Sequence, residues 1–296
     1  MKDFYRNWFL ASRPWSFVMT LMSVAVGGAI AAGDGLFSWG LFLATLLGAV
    51  CMHAATNLLN DYYDVKSGVD TDAVSTAKYR PHPLLQGKLK LHAVARAAYL
   101  LFLIGSVIGV WLAFLRGWPI LAIGAVGILA GIAYTAPPVK YKHVSLGELS
   151  VFLMWGPLMV EGAYYVQHQH FSLQALWVSI PFGGLVALVI LANNLRDIED
   201  DRNQNVRTLP VVLGLQRGFY LYFGLIALAY LSIVLMVLLG ILPLWSLSVL
   251  LSLPLAVKLF RAMSREIPDD ADARTAQLDT AFGILLIASL LAGVWL

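Results

Sequence analysis

Followed from end to end, the chain alternates long apolar runs with short polar connections. The apolar runs cover approximately 14–33, 37–60, 93–115, 118–136, 147–166, 173–195, 216–240, 242–262 and 278–296. At 1.5 Å of rise per residue, each is long enough, or nearly long enough, to cross a hydrocarbon layer of roughly 30 Å. A chain that enters lipid must satisfy its own backbone hydrogen bonds, and the helix does so within one segment. The pattern therefore predicts an all-α integral membrane protein of nine transmembrane helices, forming a single polytopic domain over 1–296. The shortest interruption is Gly240 to Leu244, between the seventh and eighth runs.

Two of these runs end in unusual chemistry. The second closes on Asn57-Leu-Leu-Asn60-Asp61-Tyr-Tyr-Asp64-Val-Lys-Ser-Gly68-Val-Asp70. At about 100° per residue, Asn57, Asp61 and Asp64 fall within roughly 60° of arc on one helical face. Gly68 breaks the helix, so that Asp70 can fold back towards the first carboxylates. The sixth run repeats the device with Asn193, Asp197 and Asp201, spaced i, i+4, i+8. Asp and Asn offer oxygen ligands only, the kind that Mg²⁺ prefers. One acidic helix end is ordinarily a solvated end. Two in matching surroundings point to a pair of Mg²⁺ ions gripping a diphosphate between them.

Composition narrows the class. Apolar residues make up 59% of the chain and charged residues 12%, about half the usual soluble share, which excludes a soluble core with a polar skin. The net charge is only +3, but its placement is uneven. The N-terminal residues and the connections after runs 2, 4, 6 and 8 hold all but one of the 20 lysines and arginines, Arg116 being the exception. By the positive-inside rule the N-terminus and both acidic clusters are cytoplasmic, and Leu296 lies outside. The single cysteine, Cys51, sits in an apolar run and reads as a small core residue, leaving neither a disulfide nor a thiolate metal site.

Smaller features fill in the order of the chain. Phe4 and Trp8 suit an interfacial lead-in helix, and Pro14 suits the first position of the first span. Ala29-Ile30-Ala31 resembles a cleavage site, but the retained basic N-terminus and eight later spans oppose cleavage. After the first acidic cluster comes Arg80-Pro-His-Pro83-Leu-Leu-Gln-Gly87, and after the second Arg207-Thr-Leu-Pro210-Val-Val-Leu-Gly214. Both fit Arg-x-x-Pro-φ-φ-x-Gly, where φ is apolar, which implies two related halves facing one another around a central cavity. Lys88 and Lys90 read as topology signals alone. The fourth run ends in Tyr134-Thr-Ala-Pro137-Pro138-Val-Lys140-Tyr-Lys142, where two prolines stop the helix and two lysines face the cytoplasmic mouth. Glu161, near the outer end of the fifth run, reads as a hydrogen-bonded structural carboxylate. His168 and His170 have no acidic neighbour in sequence to suggest a metal site. The stretch from Arg261 to Arg274, with Asp269, Asp270 and Asp272, reads as a solvated connector.

With these motifs in place, the chain resembles the UbiA superfamily of intramembrane aromatic prenyltransferases over nearly its whole length. The likeness rests on NLLNDYYDVKSGVD, on YTAPPVKYKHVSLGE, and on NNLRDIEDDR followed by RTL and Leu213-Gly214. Within the superfamily, Gly68-x-Asp70, Leu146-Gly147-Glu148, Gly162-Ala-Tyr-Tyr165 and Asn193-Asn194-Leu-Arg196-Asp197 resemble the 1,4-dihydroxy-2-naphthoate polyprenyltransferases of menaquinone synthesis. Two places depart from that pattern: Asn205-Val206 precedes Arg207 where the family has Gly-Lys, and the Arg80-Pro-His-Pro83 segment differs.

The resemblance implies Mg²⁺-dependent transfer of a polyprenyl group from its diphosphate to an aromatic acceptor, 1,4-dihydroxy-2-naphthoate with loss of CO₂, at the cytoplasmic side of the cell (inner) membrane. It implies one ion on Asp61, Asp64 and Asp70 and a second on Asp197 and Asp201. Asn57 and Asn193 supply neutral oxygens, and Asn60, Asn194 and Arg196 contact substrate. Arg80, Lys78, Lys140 and Arg207 neutralise the leaving diphosphate, and Tyr134 walls the cavity where the allylic cation forms. No nucleic acid and no obligatory protein partner is expected beside the lipid and the two substrates. The alternative acceptor is 4-hydroxybenzoate or another aromatic or lipid-linked compound. A secondary transporter, the alternative outside enzymes, would hold its charges near the bilayer midplane. On this reading Asp61→Asn and Asp197→Asn abolish transfer and leave stability nearly unchanged.

Overall fold

The computed structural model describes residues 2–69 and 82–295. Among the described residues there is no β-sheet, and the helices are α1 (Lys2–Ala11), α2 (Phe17–Gly33), α3 (Trp39–Ser67), α4 (Leu91–Arg116), α5 (Pro119–Ala133), α6 (Gly147–Leu153), α7 (Met159–His168), α8 (Leu173–Arg196), α9 (Ile198–Asn203), α10 (Leu209–Leu213), α11 (Leu215–Leu238), α12 (Leu253–Met263) and α13 (Ala271–Trp295).

Eight helical stretches among the described residues are long and apolar enough to cross a membrane, against the nine expected. The shortfall is α5. Its 15 residues rise about 22 Å, less than the hydrocarbon thickness. The apolar run 118–136 overstated it because Pro137 cannot follow a helical Ala136 without a clash, so the helix stops at Ala133. Other boundaries moved outward. α3 continues through the carboxylates to Ser67 and ends on Gly68, whose φ of 75° allows Val69 N–H to reach the Asp64 carbonyl at 2.9 Å. The break between the seventh and eighth runs is present at Gly240, with φ 72°. The eighth then begins as a 3₁₀ run, Leu244–Ser252, before α12.

Burial divides the bundle. The largest cluster joins α2, α7, α8, α11, α12 and α13 around Phe182, Leu188, Tyr222 and Phe282. A second joins α3 and α4 around Leu58, Leu59 and Phe102, with Trp8 of α1 packed against it. Large apolar side chains such as Phe114, Trp118 and Leu238 stand on the outside at 88%, 74% and 78% exposure. Apolar surface of that extent needs lipid around it. The protein is an integral membrane protein.

One local distortion positions the site. Between α6 and α7 the chain makes a π-helical turn, Met154–Leu158, where Gly156 leaves helical geometry at φ −81°, ψ −107°. The turn seats directly on α8: a Cβ on Gly156 would lie 2.8 Å from the Ser179 carbonyl, and one on Gly183 would lie 2.9 Å from both Gly156 N and the Phe152 carbonyl. Only two glycines permit backbones that close.

Candidate active site

A cavity of about 440 Å³ opens between the two clusters and is lined from α2 to α9 and by α13. On α3 the lining residues run from Thr45 to Asp64, about 28 Å of helix. The wall changes character along that length. Its deep part is apolar, with Met52, Ile108, Leu112, Ile123, Met159 and Val166; its mouth carries Asn57, Asn60, Asp64, Asn193, Asp197 and Asp201. The fold thus brings both acidic helix ends to one opening.

The first cluster is not arranged as its spacing suggested. Asn57, Asn60 and Asp64 line the cavity, at i, i+3, i+7, whereas Asp61 does not. Asp61 is 4% exposed and is taken by the guanidinium of Arg13, with His82 Nε2 at 3.9 Å from its other oxygen. The N-terminal arm holds that edge of the helix: Asn57 Nδ2 also donates to the Ser12 carbonyl at 3.1 Å and to Ser16 Oγ at 3.2 Å. Asp64 accepts from Asn60 Nδ2 at 2.8 Å and from Lys142 Nζ, which also donates to Asn60 Oδ1 at 2.9 Å.

In the second cluster, Arg196 is a clamp rather than a cavity-lining group. Its guanidinium, with the side chain 4% exposed, forks onto both oxygens of Asp197 at 2.7 Å, donates to Asn193 Oδ1 at 2.7 Å, and lies 3.6 Å from Asp272. Asp272 is buried and lines the cavity, so the Arg261–Arg274 stretch is more than a solvated connector. Asn194 donates to buried Glu148 at 2.8 Å. Asp201 accepts from Thr208 Oγ1 at 3.0 Å, and burial pushes its carboxyl up to about 7.

Among the expected cations, Lys142 meets the carboxylates and Lys140 stays off the cavity wall. Arg207 is solvent-exposed; its backbone joins His143 and Ser145, at 3.1 and 2.7 Å, so the loop is tied to the α5–α6 connection while the side chain is not in the cavity. Tyr134 lines the cavity, with Lys142 Nζ 5.8 Å from its ring centre. Asp70, Lys78 and Arg80 lie outside the described residues. Glu161 accepts from Ser172 N–H at 3.2 Å, at the start of α8. Sequence reasoning missed Arg13, Asp272, His53 and Trp155, because their relevance lies in partners far along the chain.

The donor set can be tested against Mg²⁺. Among the described residues, no three acidic, His or Cys side chains gather as a cage of protein ligands alone would require. Mg²⁺ does not ask for one: it keeps waters and takes one or two carboxylates together with substrate phosphates. Carboxylate and carboxamide oxygens line the opening from both helix ends, beside Lys142, and Asp201 is a half-buried carboxyl that forms no salt bridge with a described residue. The residues fit the ion.

Such a mouth over an apolar cavity inside a membrane protein defines a class, enzymes that hold an anionic head while a lipid tail stays in lipid. Residues 20–293 match the UbiA prenyltransferase family, and the chain belongs to it and is a prenyltransferase. It is 30% identical over 291 residues to a 1,4-dihydroxy-2-naphthoate octaprenyltransferase of Bacillus subtilis (strain 168), covering 95% of this chain and 90% of that one. It is also 30% identical over 284 residues to UbiA prenyltransferase domain-containing protein 1 of Homo sapiens, covering 95% and 82%. Among solved structures it is similar to a UbiA homolog from Archaeoglobus fulgidus bound to GPP and Mg²⁺, with TM-score 0.67, 17% identity, and 98% and 100% of the two chains covered. An apo UbiA homolog from Aeropyrum pernix K1 gives TM-score 0.69 at 17% identity, covering 91% and 97%. These structural likenesses show a shared fold.

Proposed function

We propose that this protein transfers a polyprenyl group from its diphosphate to 1,4-dihydroxy-2-naphthoate, with loss of the ring's carboxyl as CO₂, in menaquinone biosynthesis. The observation that carries the reading is that both acid–amide helix ends share the mouth of one cavity whose depth is apolar. The name of the Bacillus relative supports the choice of acceptor. The reading places the enzyme in the cell (inner) membrane with its mouth to the cytoplasm, and counts the short α5 as the ninth membrane helix of two related halves.

On this reading, Asn57, Asn60 and Asp64 hold one Mg²⁺ and Asn193, Asp197 and Asp201 the other, with Asp61 and Asp70 supporting the first. Bound Mg²⁺ supplies charge that stabilises the departing diphosphate. Lys142 at the mouth adds positive potential where negative charge grows, and Lys78, Arg80, Lys140 and Arg207 remain candidates to neutralise the leaving diphosphate. The apolar depth excludes water from the allylic cation, with Tyr134 at its upper wall. The ring carbon then bonds to the prenyl carbon.

Purified protein incubated with Mg²⁺, a prenyl diphosphate and a panel of hydroxylated aromatic acids is the direct test, with products identified by mass spectrometry. A prenylated, decarboxylated naphthalenediol is expected. Product from 4-hydroxybenzoate alone would move the assignment to that acceptor.

A further inference from the structure

Glu148 is a buried carboxylate that lies off the cavity wall and pairs with no cation among the described residues. It stands in the first turn of α6, behind a wall to which Gly147, Ser150 and Val151 of the same helix contribute. Its Oε1 accepts from Asn194 Nδ2 at 2.8 Å, and its Oε2 is sealed from solvent with no hydrogen-bond partner among the described residues. Asn194 thus gives this carboxylate the one hydrogen bond it receives among them. Turning the amide over would set its carbonyl oxygen against the carboxylate, two acceptors facing, and leave a buried charge with no donor. Glu148 therefore fixes which end of the amide points into the wall.

The other end points the opposite way. Asn194 lines the cavity and Glu148 does not, so with Nδ2 held in the wall it is Oδ1 that remains on the cavity side. No donor among the described residues engages that oxygen, and it is not sealed as Glu148 Oε2 is. Asn57, at the first helix end, is turned in the same way. Its Nδ2 donates to the Ser12 carbonyl and to Ser16 Oγ, which leaves its oxygen to the mouth. The registers agree as well: Asn57, Asn60 and Asp64 line the cavity at i, i+3, i+7, and Asn194, Asp197 and Asp201 line it at the same spacing.

Spacing puts Asn193 with Asp197 and Asp201, but its side chain is engaged elsewhere. Asn193 Oδ1 accepts from the Arg196 guanidinium at 2.7 Å. A carboxylate such as Asp197 carries a full charge over two oxygens and can face that guanidinium and a metal ion together. A neutral amide oxygen already on a buried guanidinium is a poor ligand for a second cation.

We propose that Glu148 is a positioning residue that holds the Asn194 carboxamide with its oxygen outward, so that Asn194 rather than Asn193 is the neutral oxygen ligand beside Asp197 at the second Mg²⁺. This rests on the reading of two Mg²⁺ ions at the mouth and changes one ligand in it. Groups that orient a metal ligand without touching the ion govern its affinity by about 10–100-fold.

The test reads ion binding itself, in the full-length protein in detergent, with Mn²⁺ in place of Mg²⁺ and non-cleavable geranyl thiolodiphosphate as the companion ligand. Electron paramagnetic resonance follows free Mn²⁺, and thermal scans follow folding. Wild type should take up two ions. Glu148→Met and Asn194→Leu should each weaken one of them about tenfold and leave the other within about twofold, and Asn193→Leu should weaken it by less than Asn194→Leu. The double variant Glu148→Gln with Asn194→Asp puts an N–H in the wall and keeps an oxygen at the mouth, so it should bind both ions at least as tightly as wild type. Unchanged Mn²⁺ affinity in folded Glu148→Met, with only its melting temperature lowered, would reduce the pair to a tie between α6 and α8 and overturn the proposal. A loss in Asn193→Leu equal to that in Asn194→Leu would overturn it too. Should the single variants not fold, the double variant decides: wild-type affinity supports the positioned oxygen, and a loss of about tenfold overturns it. Wild type that takes up no ion with the diphosphate analogue would instead overturn the two-ion reading itself.

Discussion

Lys142 reaches from the α5–α6 connection to the carboxylate of Asp64 on α3, joining the bend after α5 to the end of α3. Lys140, two residues earlier and carrying the same charge, does not. The chain turns at Lys140 with φ 43° into a 3₁₀ turn, Tyr141–His143, and that turn brings Lys142 inward. Lys142→Met should therefore lower kcat/KM for the donor about a hundredfold, the value of a charge-assisted contact on a developing anion. Lys140→Met should stay within about threefold, as expected of a charge that stays off the cavity wall. Steady-state kinetics of the two variants side by side check this, and equal losses would count against it.

Asp197→Asn should reduce transfer below about a tenth of wild type, since Mg²⁺ sites need negative ligands, and Asp61→Asn should do so through loss of the Arg13 pairing that holds this end of α3. Their stabilities should differ from the expectation that a helix-end ligand is dispensable for folding. Asp61 is buried against Arg13, and Asp197 is forked by the buried guanidinium of Arg196. Removing one charge of a buried pair leaves the other without compensation, at a cost of about 3 kcal/mol before relaxation. Both substitutions are therefore expected to lower the thermal midpoint, which thermal scans of the two variants measure.

Mg²⁺ alone should raise the melting temperature little, because no three acidic, His or Cys side chains gather among the described residues. Mg²⁺ together with a prenyl diphosphate should raise it by several degrees, as ligands that complete one another's coordination bind the native state jointly. Thermal scans with each component and with both, then with excess chelator, measure the difference. A full shift from Mg²⁺ alone would indicate a preformed ion cage.

His143, in the connection that carries Lys142, has its imidazole lowered to about 4 by burial first and then by Lys142 and Lys140. The unfolded chain binds that proton from about pH 6.5 downward, the folded chain only near 4. Stability from this group is thus complete above pH 6.5 and is lost as pH falls towards 4. The melting temperature of wild type should drop across that window by more than that of His143→Gln. Parallel curves would remove His143 as the cause.

How much of this could be read from the chain alone follows from the range of the forces involved. Apolar length, proline and glycine positions and the placement of lysine and arginine act locally, so they determined the all-helical membrane character, eight of the nine expected spans, the break at Gly240 and the helix stop at Gly68. The residue types of the acidic ends likewise determined an oxygen donor set. What only the tertiary structure decided is which of those oxygens face the cavity. Asp61 lies on the predicted face, yet Arg13, 48 residues earlier, takes it, and Asn60 joins the wall instead. Arg196, within the second motif, is turned away by Asp272 from a stretch that resembled a connector. The π-turn that aims Trp155 at Thr20 depends on Gly156 meeting Gly183 across two helices, a contact that neither glycine signals in its own neighbourhood. Buried charges and close backbone approaches are settled by partners that folding brings together, because in a low-dielectric interior each must be matched there or not formed at all.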